Sequence, residues 1–200
     1  VEMKKLITLL SVLIFVTLSL SYQFYGLPYL QKIKDFTLTD HNGKKVKLSD
    51  FKDKIVLVFF GYTFCPDVCP ATMLRIKETL DNLGDYKKYV KVLFISVDPE
   101  RDTPEKLKEY VKFYDKDGTI IGLTGKPEEI KKVAKSFRAF YEKVPVKDNP
   151  DVEYLMDHTA FIYLLDNRGI LKLIYTPRKD NPKRIAEDII QMVKLLKMEK

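Results

Sequence analysis

The sequence predicts an α/β fold in which a mixed sheet is covered by helices, and three observations carry that reading. Two apolar runs, Ile55 to Phe60 and Val90 to Val97, have the length and the β-branched and aromatic content of buried strands. Segments with helical spacing alternate with them, beginning with Met73, Ile76, Leu80 and Leu83. Thr159 to Leu165 and Ile170 to Tyr175 then flank Asp166-Asn167-Arg168-Gly169, which reads as an antiparallel hairpin. The order is hairpin, β, α, β, α, short β, α, β-hairpin and a final α, a βαβ unit followed by a ββα unit. This is a thioredoxin-like three-layer fold with an N-terminal β-hairpin and, before it, an N-terminal membrane anchor.

The anchor comes first in the chain. Leu6 to Gln31 carry no charge, and Leu6 to Leu20 consist only of Leu, Ile, Val, Phe, Ser and Thr. The uncharged span outruns a bare signal-peptide core, no small-x-small cleavage site ends it, and no cysteine follows to carry a lipid. Tyr22, Phe24, Tyr25 and Tyr29 suit the far membrane interface. Lys4 and Lys5 favour an inside N-terminus, although Lys32 and Lys34 beyond the run weaken the bias. The expectation is a single-pass anchor over residues 1–31 in the cytoplasmic (inner) membrane and a domain over 32–200 on the outer, periplasmic side. A cleaved signal is the rival reading.

Within the domain, Phe36 to Thr39 and Lys45 to Leu48 alternate about Asp40-His41-Asn42-Gly43, a tight-turn hairpin that makes His41 an exposed turn residue. The strand 55–60 leads into GYTFCPDVCP, residues 61–70, and then into the helical segment from Thr72 to Leu83. The strand 90–97 ends in the polar loop Asp98-Pro99-Glu100-Arg101-Asp102. Thr103 then caps a helix with Pro104 at its first position. A short strand near 120–123 and a helix from about Pro127 follow. Tyr141 to Glu153 form a less regular connection with room for an edge strand, and Asn181-Pro182 opens the last helix.

Composition narrows the function classes. About 170 residues beyond the anchor make one domain of ordinary size. A net charge of +7 arises from lysines interleaved with acids, without a basic stripe punctuated by aromatics, which excludes a nucleic-acid partner. Two cysteines in 200 residues cannot be a disulfide scaffold.

Both cysteines, Cys65 and Cys69, fall where a buried strand turns into a helix, which is where open α/β sheets place their chemistry. Residues four apart on a helix have Cβ atoms about 5–6 Å apart, whereas a disulfide wants about 3.5–4.5 Å. Two thiolates on one metal fit this spacing easily, and a disulfide stays open because Pro66 and Pro70 make a regular helix there doubtful. A helix N-terminus lowers thiol pKa values and serves either use. A metal needs a third ligand. The candidate is His158, in the loop before the strand 159–165, which in a thioredoxin-type sheet runs beside the first helix's N-terminus. A solitary polar loop histidine is the alternative. Two thiolates and one imidazole suit Cu(I), whereas zinc would want a fourth ligand. Asp157 or Asp67 could orient His158 or accept a backbone donor. Met73 and Met156 read as core residues rather than soft ligands.

GYTFCPDVCP, ISVDPERDTP and YLMDHTAFIYLLD resemble the SCO/SenC family of copper proteins, over roughly residues 33–198. The resemblance implies one copper ion, Cu(I) or Cu(II), held by Cys65, Cys69 and His158. It also implies a metallochaperone that assembles the dinuclear copper centre of cytochrome c oxidase, reduces the target cysteines through Cys65 and Cys69, or does both. The partners implied are the copper-centre subunit of the oxidase and a copper donor protein. The alternative is a thiol enzyme, either a thiol-disulfide oxidoreductase or a peroxiredoxin-like peroxidase. A peroxidase would need an arginine beside Cys65, for which Arg75 and Arg138 are the candidates.

Overall fold

A computed structural model describes residues 22–147, 152–176 and 181–198. The expected anchor, Leu6 to Leu20, lies outside the described residues, and among those described no helix is long and apolar enough to cross a membrane. In chain order the elements are β1 (Leu27–Lys32), β2 (Thr37–Asp40), β3 (Lys45–Lys47), β4 (Ile55–Gly61), α1 (Val68–Asp81), β5 (Val90–Ser96), α2 (Pro104–Tyr114) and β6 (Ile120–Thr124). They continue with α3 (Pro127–Ser136), β7 (Tyr141–Pro145), β8 (Tyr154–His158), β9 (Ile162–Leu165), β10 (Ile170–Tyr175) and α4 (Pro182–Leu195).

Eight strands form one sheet in the order β1-β10-β9-β4-β5-β6-β2-β3, while β7 and β8 pair as a separate ribbon. The central β4, β5 and β6 are parallel and the flanking strands antiparallel, the mixed sheet that the βαβ and ββα units predict. Every residue of β4 is buried, as a strand covered on both faces must be. Successive side chains point to opposite faces. Phe59 therefore meets Phe94, which Tyr110 of α2 covers, while Phe60 meets Phe137 beyond α3.

The helix after β4 begins at Val68, four residues before its expected start at Thr72, and takes Cys69 and Pro70 into its first turn. Pro70 does no harm there because the first four N–H groups of a helix have no partner within it. Thr103 caps α2 by accepting from the Lys106 N–H at 3.4 Å, as its position before Pro104 suggests.

Three expectations need correcting. The sheet starts before residue 32, because β1 pairs with β10 along the sheet edge, with a register shift between Pro28 and Gln31. Tyr29 packs against the core, and Tyr22 and Tyr25 are tied to Asp188 of α4, so these tyrosines are part of the folded domain rather than of a flank ending at residue 31. His158 ends strand β8 of the ribbon instead of sitting in a loop, and β9 begins only at Ile162.

His41 is the third correction. It is half-buried, and its Nδ1 accepts the Gly122 N–H at 3.0 Å, stitching the β2–β3 turn to β6. Burial pushes its pKa below the ordinary 6.5, against the pull of Asp40 and with help from Lys108. Only the neutral ring can accept that bond. Because the folded pKa is depressed, the unfolded chain takes up the proton first as pH falls. The stability held by His41 is therefore complete above the unfolded value near 6.5 and is lost as pH drops from there through the folded value. Chemical melts from pH 7.5 down to 5 are expected to show wild type losing roughly 1 kcal/mol, one hydrogen bond's net worth, relative to His41→Gln. Parallel pH profiles for the two proteins would refute this.

Candidate metal centre

The site is built at the C-terminal end of β4. Gly61 ends the strand where a side chain has no room, since a Cβ there would stand 2.8 Å from Phe94 Cε2 and 3.1 Å from Cys69 Sγ. The chain then turns, with the Cys65 N–H bonded to the Tyr62 carbonyl at 3.3 Å, and enters α1. In the first helical turn the Cys69 N–H points at Cys65 Sγ from 3.4 Å. Both thiols are free, with Cys65 7% exposed and Cys69 fully buried.

The loop after β5 fixes this turn in place. Asp102, fully buried, accepts from the Thr63 N–H at 3.0 Å, from Thr63 Oγ1 at 2.6 Å and from Ser96 Oγ at 2.6 Å. Burial pushes its carboxyl pKa up, and those three donors work against the rise. Asp98, also fully buried, accepts from the Tyr154 hydroxyl at 2.8 Å and pairs with Arg101 Nε. Arg101 donates through Nη1 to the Tyr154 carbonyl at 3.0 Å and lies over the Tyr154 ring at 3.7 Å. One loop thus holds both the turn before Cys65 and the strand that ends in His158.

His158 reaches the thiols from β8. Its ring packs edge-on against Tyr62 and Phe59, with centroids 5.8 and 6.2 Å away. Nε2 lies 3.3 Å from Cys69 Sγ, and Nδ1 lies 3.2 Å from the Thr159 carbonyl. A carbonyl can only accept, so Nδ1 carries a proton. In the neutral ring this leaves the Nε2 lone pair facing the sulfurs, and in the charged ring Nε2–H donates to them. The donor atoms of Cys65, Cys69 and His158 all lie within 4.8 Å of one another. Two metal–ligand bonds of about 2.0–2.3 Å span almost that distance, so the three fit a single ion.

The two thiols are pushed apart in acidity. Cys65 falls well below the ordinary thiol range, first because the Cys69 thiol donates to it, with help against burial from His158 and the N–H groups of Asp67 and Cys69. Cys69 rises, because giving up its proton would break the bond to Cys65 and place a second charge in a buried site. Burial also raises the Tyr62 hydroxyl to about 12. The pair thus offers one ready thiolate and one retained proton.

The remaining candidates fall into place around this set. Asp157 is exposed and lies on the opposite face of β8 from His158, since adjacent strand residues alternate. Asp67 is exposed at the N-cap without a side-chain bond, and it serves the site through its main-chain N–H to Cys65. Neither carboxylate orients His158. The Thr159 carbonyl does, and no side-chain pattern could have announced it. Met73 and Met156 are buried in the core, as their apolar spacing suggests. Arg138 is exposed over Tyr29, Arg75 stands on α1, and among the described residues no arginine contributes to the lowered Cys65 pKa. Arg101, Asp98 and Asp102 are internal fasteners. In the sequence they read as a polar loop, and only the fold brings Thr63, Ser96 and Tyr154 to them.

Comparison with known proteins gives the arrangement its relatives. The SCO1/SenC family model matches residues 29–194. The chain belongs to the SCO1/SenC family. A SCO2-like protein of Rickettsia felis is 41% identical over 155 residues, covering 76% of this chain and 73% of that protein. Copper-bound ScoI of Bradyrhizobium japonicum superposes with a TM-score of 0.72 at 44% identity, covering 81% of this SCO chain and 99% of the other. BsSco, described as a cytochrome c oxidase assembly protein of the Sco family with a disulfide switch, matches with a TM-score of 0.66 at 27% identity, covering 85% of this chain and 98% of its own.

Proposed function

We propose that this SCO1/SenC protein binds one copper ion through Cys65, Cys69 and His158 and carries it to the dinuclear copper centre of cytochrome c oxidase. The observation that carries this reading is the convergence of two thiol sulfurs and one imidazole nitrogen within 4.8 Å at the edge of a dry core. Soft sulfur donors with one imidazole match copper(I). The copper-bound ScoI relative supports the metal, and the description of BsSco supports the oxidase target. The copper-centre subunit of the oxidase and a copper donor protein are the partners. The apolar run Leu6 to Leu20 anchors the domain to the inner membrane on its periplasmic side.

The same dithiol supports a second activity, reduction of a target disulfide. The Cys65 thiolate attacks one sulfur of the target, forming a mixed disulfide and releasing the other as a thiolate. Cys69 then loses its proton to solvent and attacks Cys65. The target leaves as two thiolates that take protons from solvent, two electrons richer, and this chain is left with a Cys65–Cys69 disulfide. The lowered thiolate at Cys65 and the buried thiol at Cys69 favour that order. A peroxidase reading lacks, among the described residues, the arginine that it requires at Cys65.

Titration of the reduced protein with Cu(I) is expected to saturate at one equivalent, and the disulfide form is expected to bind none, because both sulfurs are then spent on each other. Stoichiometric copper retained after full oxidation would overturn the shared-dithiol reading. No uptake by the reduced protein would overturn the copper reading itself.

A further inference from the structure

The strand registers bring the start of the domain to the same end of the sheet as the thiols. Leu27 of β1 lies opposite Ile174, Ile174 opposite Tyr163, and Tyr163 opposite Val58 of β4. Pairing is antiparallel at each of these steps, so β1 runs against β4. Residues 22–26, which precede Leu27, therefore lie level with Phe59 and beyond, at the end where β4 delivers the chain to Cys65. The sideways separation is three strand spacings, about 14 Å.

That entering segment is fastened rather than loosely tethered. Asp188 of α4 is fully buried and accepts from Tyr22 Oη at 2.8 Å, the Tyr25 N–H at 3.0 Å, the Gly26 N–H at 2.9 Å and Tyr175 Oη at 3.0 Å. A buried carboxylate with four donors holds its partners strongly, because charge-assisted bonds are the strong ones and the carboxylate left inside would be unsatisfied. The uncharged run Leu6 to Leu20 ends two residues before Tyr22.

The surface of the thiol end agrees with that placement. At the thiol end Tyr25, Leu27, Phe140 and Phe161 are exposed together with the Lys143–Glu100 pair, and the Arg184 guanidinium lies over the Tyr25 ring at 5.0 Å. At the other end Lys87 bridges to Asp115 and Asp117, Lys54 and Lys91 bond to main-chain carbonyls, and Phe113 is exposed. Aromatic and aliphatic side chains beside arginine suit the interfacial layer of a bilayer.

We propose that the thiol end of the sheet faces the bilayer surface, held in that orientation by the Asp188 fastening of residues 22–26. The site then stands over the lipid headgroups and the opposite end points away from them. This rests on the membrane-anchored reading of Leu6 to Leu20 and is independent of which metal the site holds.

The test uses the full chain in vesicles of phosphatidylcholine and phosphatidylglycerol carrying a headgroup energy-transfer acceptor. In a Cys65→Ser, Cys69→Ser background, a donor dye is attached either at Glu142→Cys, beside the site, or at Lys116→Cys, at the opposite end. The seven residues of β4 span about 23 Å between these ends. Donor quenching is expected to be several-fold greater at 142 than at 116, and Asp188→Asn, or the milder Tyr22→Phe, is expected to shrink that contrast at least twofold. Equal quenching at both positions, stronger quenching at 116, or failure of the chain to float with the vesicles would overturn the orientation. An unchanged contrast in both variants would overturn the fastening. Copper titration of the wild type is unaffected by any of these outcomes, so the two readings fail separately.

Discussion

His158→Ala is expected to weaken Cu(I) binding by more than about 100-fold, beyond the range of 10–100-fold that loss of an outer-shell partner costs. The imidazole is the one nitrogen donor of the set, and its ring leaves at little cost to the fold. It is half-buried, it ends a short ribbon strand, and its main-chain pairing with Tyr141 does not depend on the side chain. Thermal melting of the variant should therefore stay within a few degrees of wild type while competition titration against a Cu(I) chelator shows the loss. Asp157→Ala serves as the comparison, since that carboxylate points away from the site, and its affinity should match wild type. Equal Cu(I) affinity in His158→Ala and wild type would remove His158 from the ligand set.

The second large effect is expected at Asp102. Replacement by Ala strands three donors, the Thr63 N–H, Thr63 Oγ1 and Ser96 Oγ, in a fully buried place. Unsatisfied buried groups cost about 1–3 kcal/mol each, and with partial relaxation the total should reach roughly 3 kcal/mol. For a domain of this size that lowers the melting temperature by about 6–12 °C. Cu(I) affinity should fall as well, because the turn before Cys65 loses its fastening to β5. Asp102→Asn keeps one acceptor oxygen and should lose less of both. A melting temperature within about 2 °C of wild type in Asp102→Ala would show that the carboxylate holds nothing.

The parts of this molecule legible in the sequence are those set by local pattern or by rare residue types. The strands at 55 and 90 announce themselves because burial on both faces demands unbroken apolar runs. Cys65, Cys69 and His158 stand out because two cysteines and two histidines leave few ways to build a soft donor set. β1 is hidden because its residues continue the uncharged stretch from Leu6, so composition alone cannot say where lipid-seeking sequence ends and an edge strand begins. His41 reads as a turn residue until β6 passes close enough for Gly122 to donate to it. Asp98, Arg101 and Asp102 look like any polar loop, since their partners are 39 to 56 residues distant in the bonds from Thr63 and to Tyr154. The need for Gly61 is likewise a three-body fact involving Phe94 and Cys69.

The outermost strands of the sheet bear on how a partner protein can approach. β3 is only three residues long and exposes Lys45 and Lys47, while β1 carries Pro28 and a break in register before Gln31. Short length, paired lysines, a proline and an irregular ladder each discourage a foreign strand from zipping onto an open edge. The sheet is thereby closed to growth on both sides, which guards a domain with such apolar strands against aggregation. Recognition by strand addition is blocked by the same features, so an incoming protein must engage the turns and the ribbon around Cys65 and His158 through side chains.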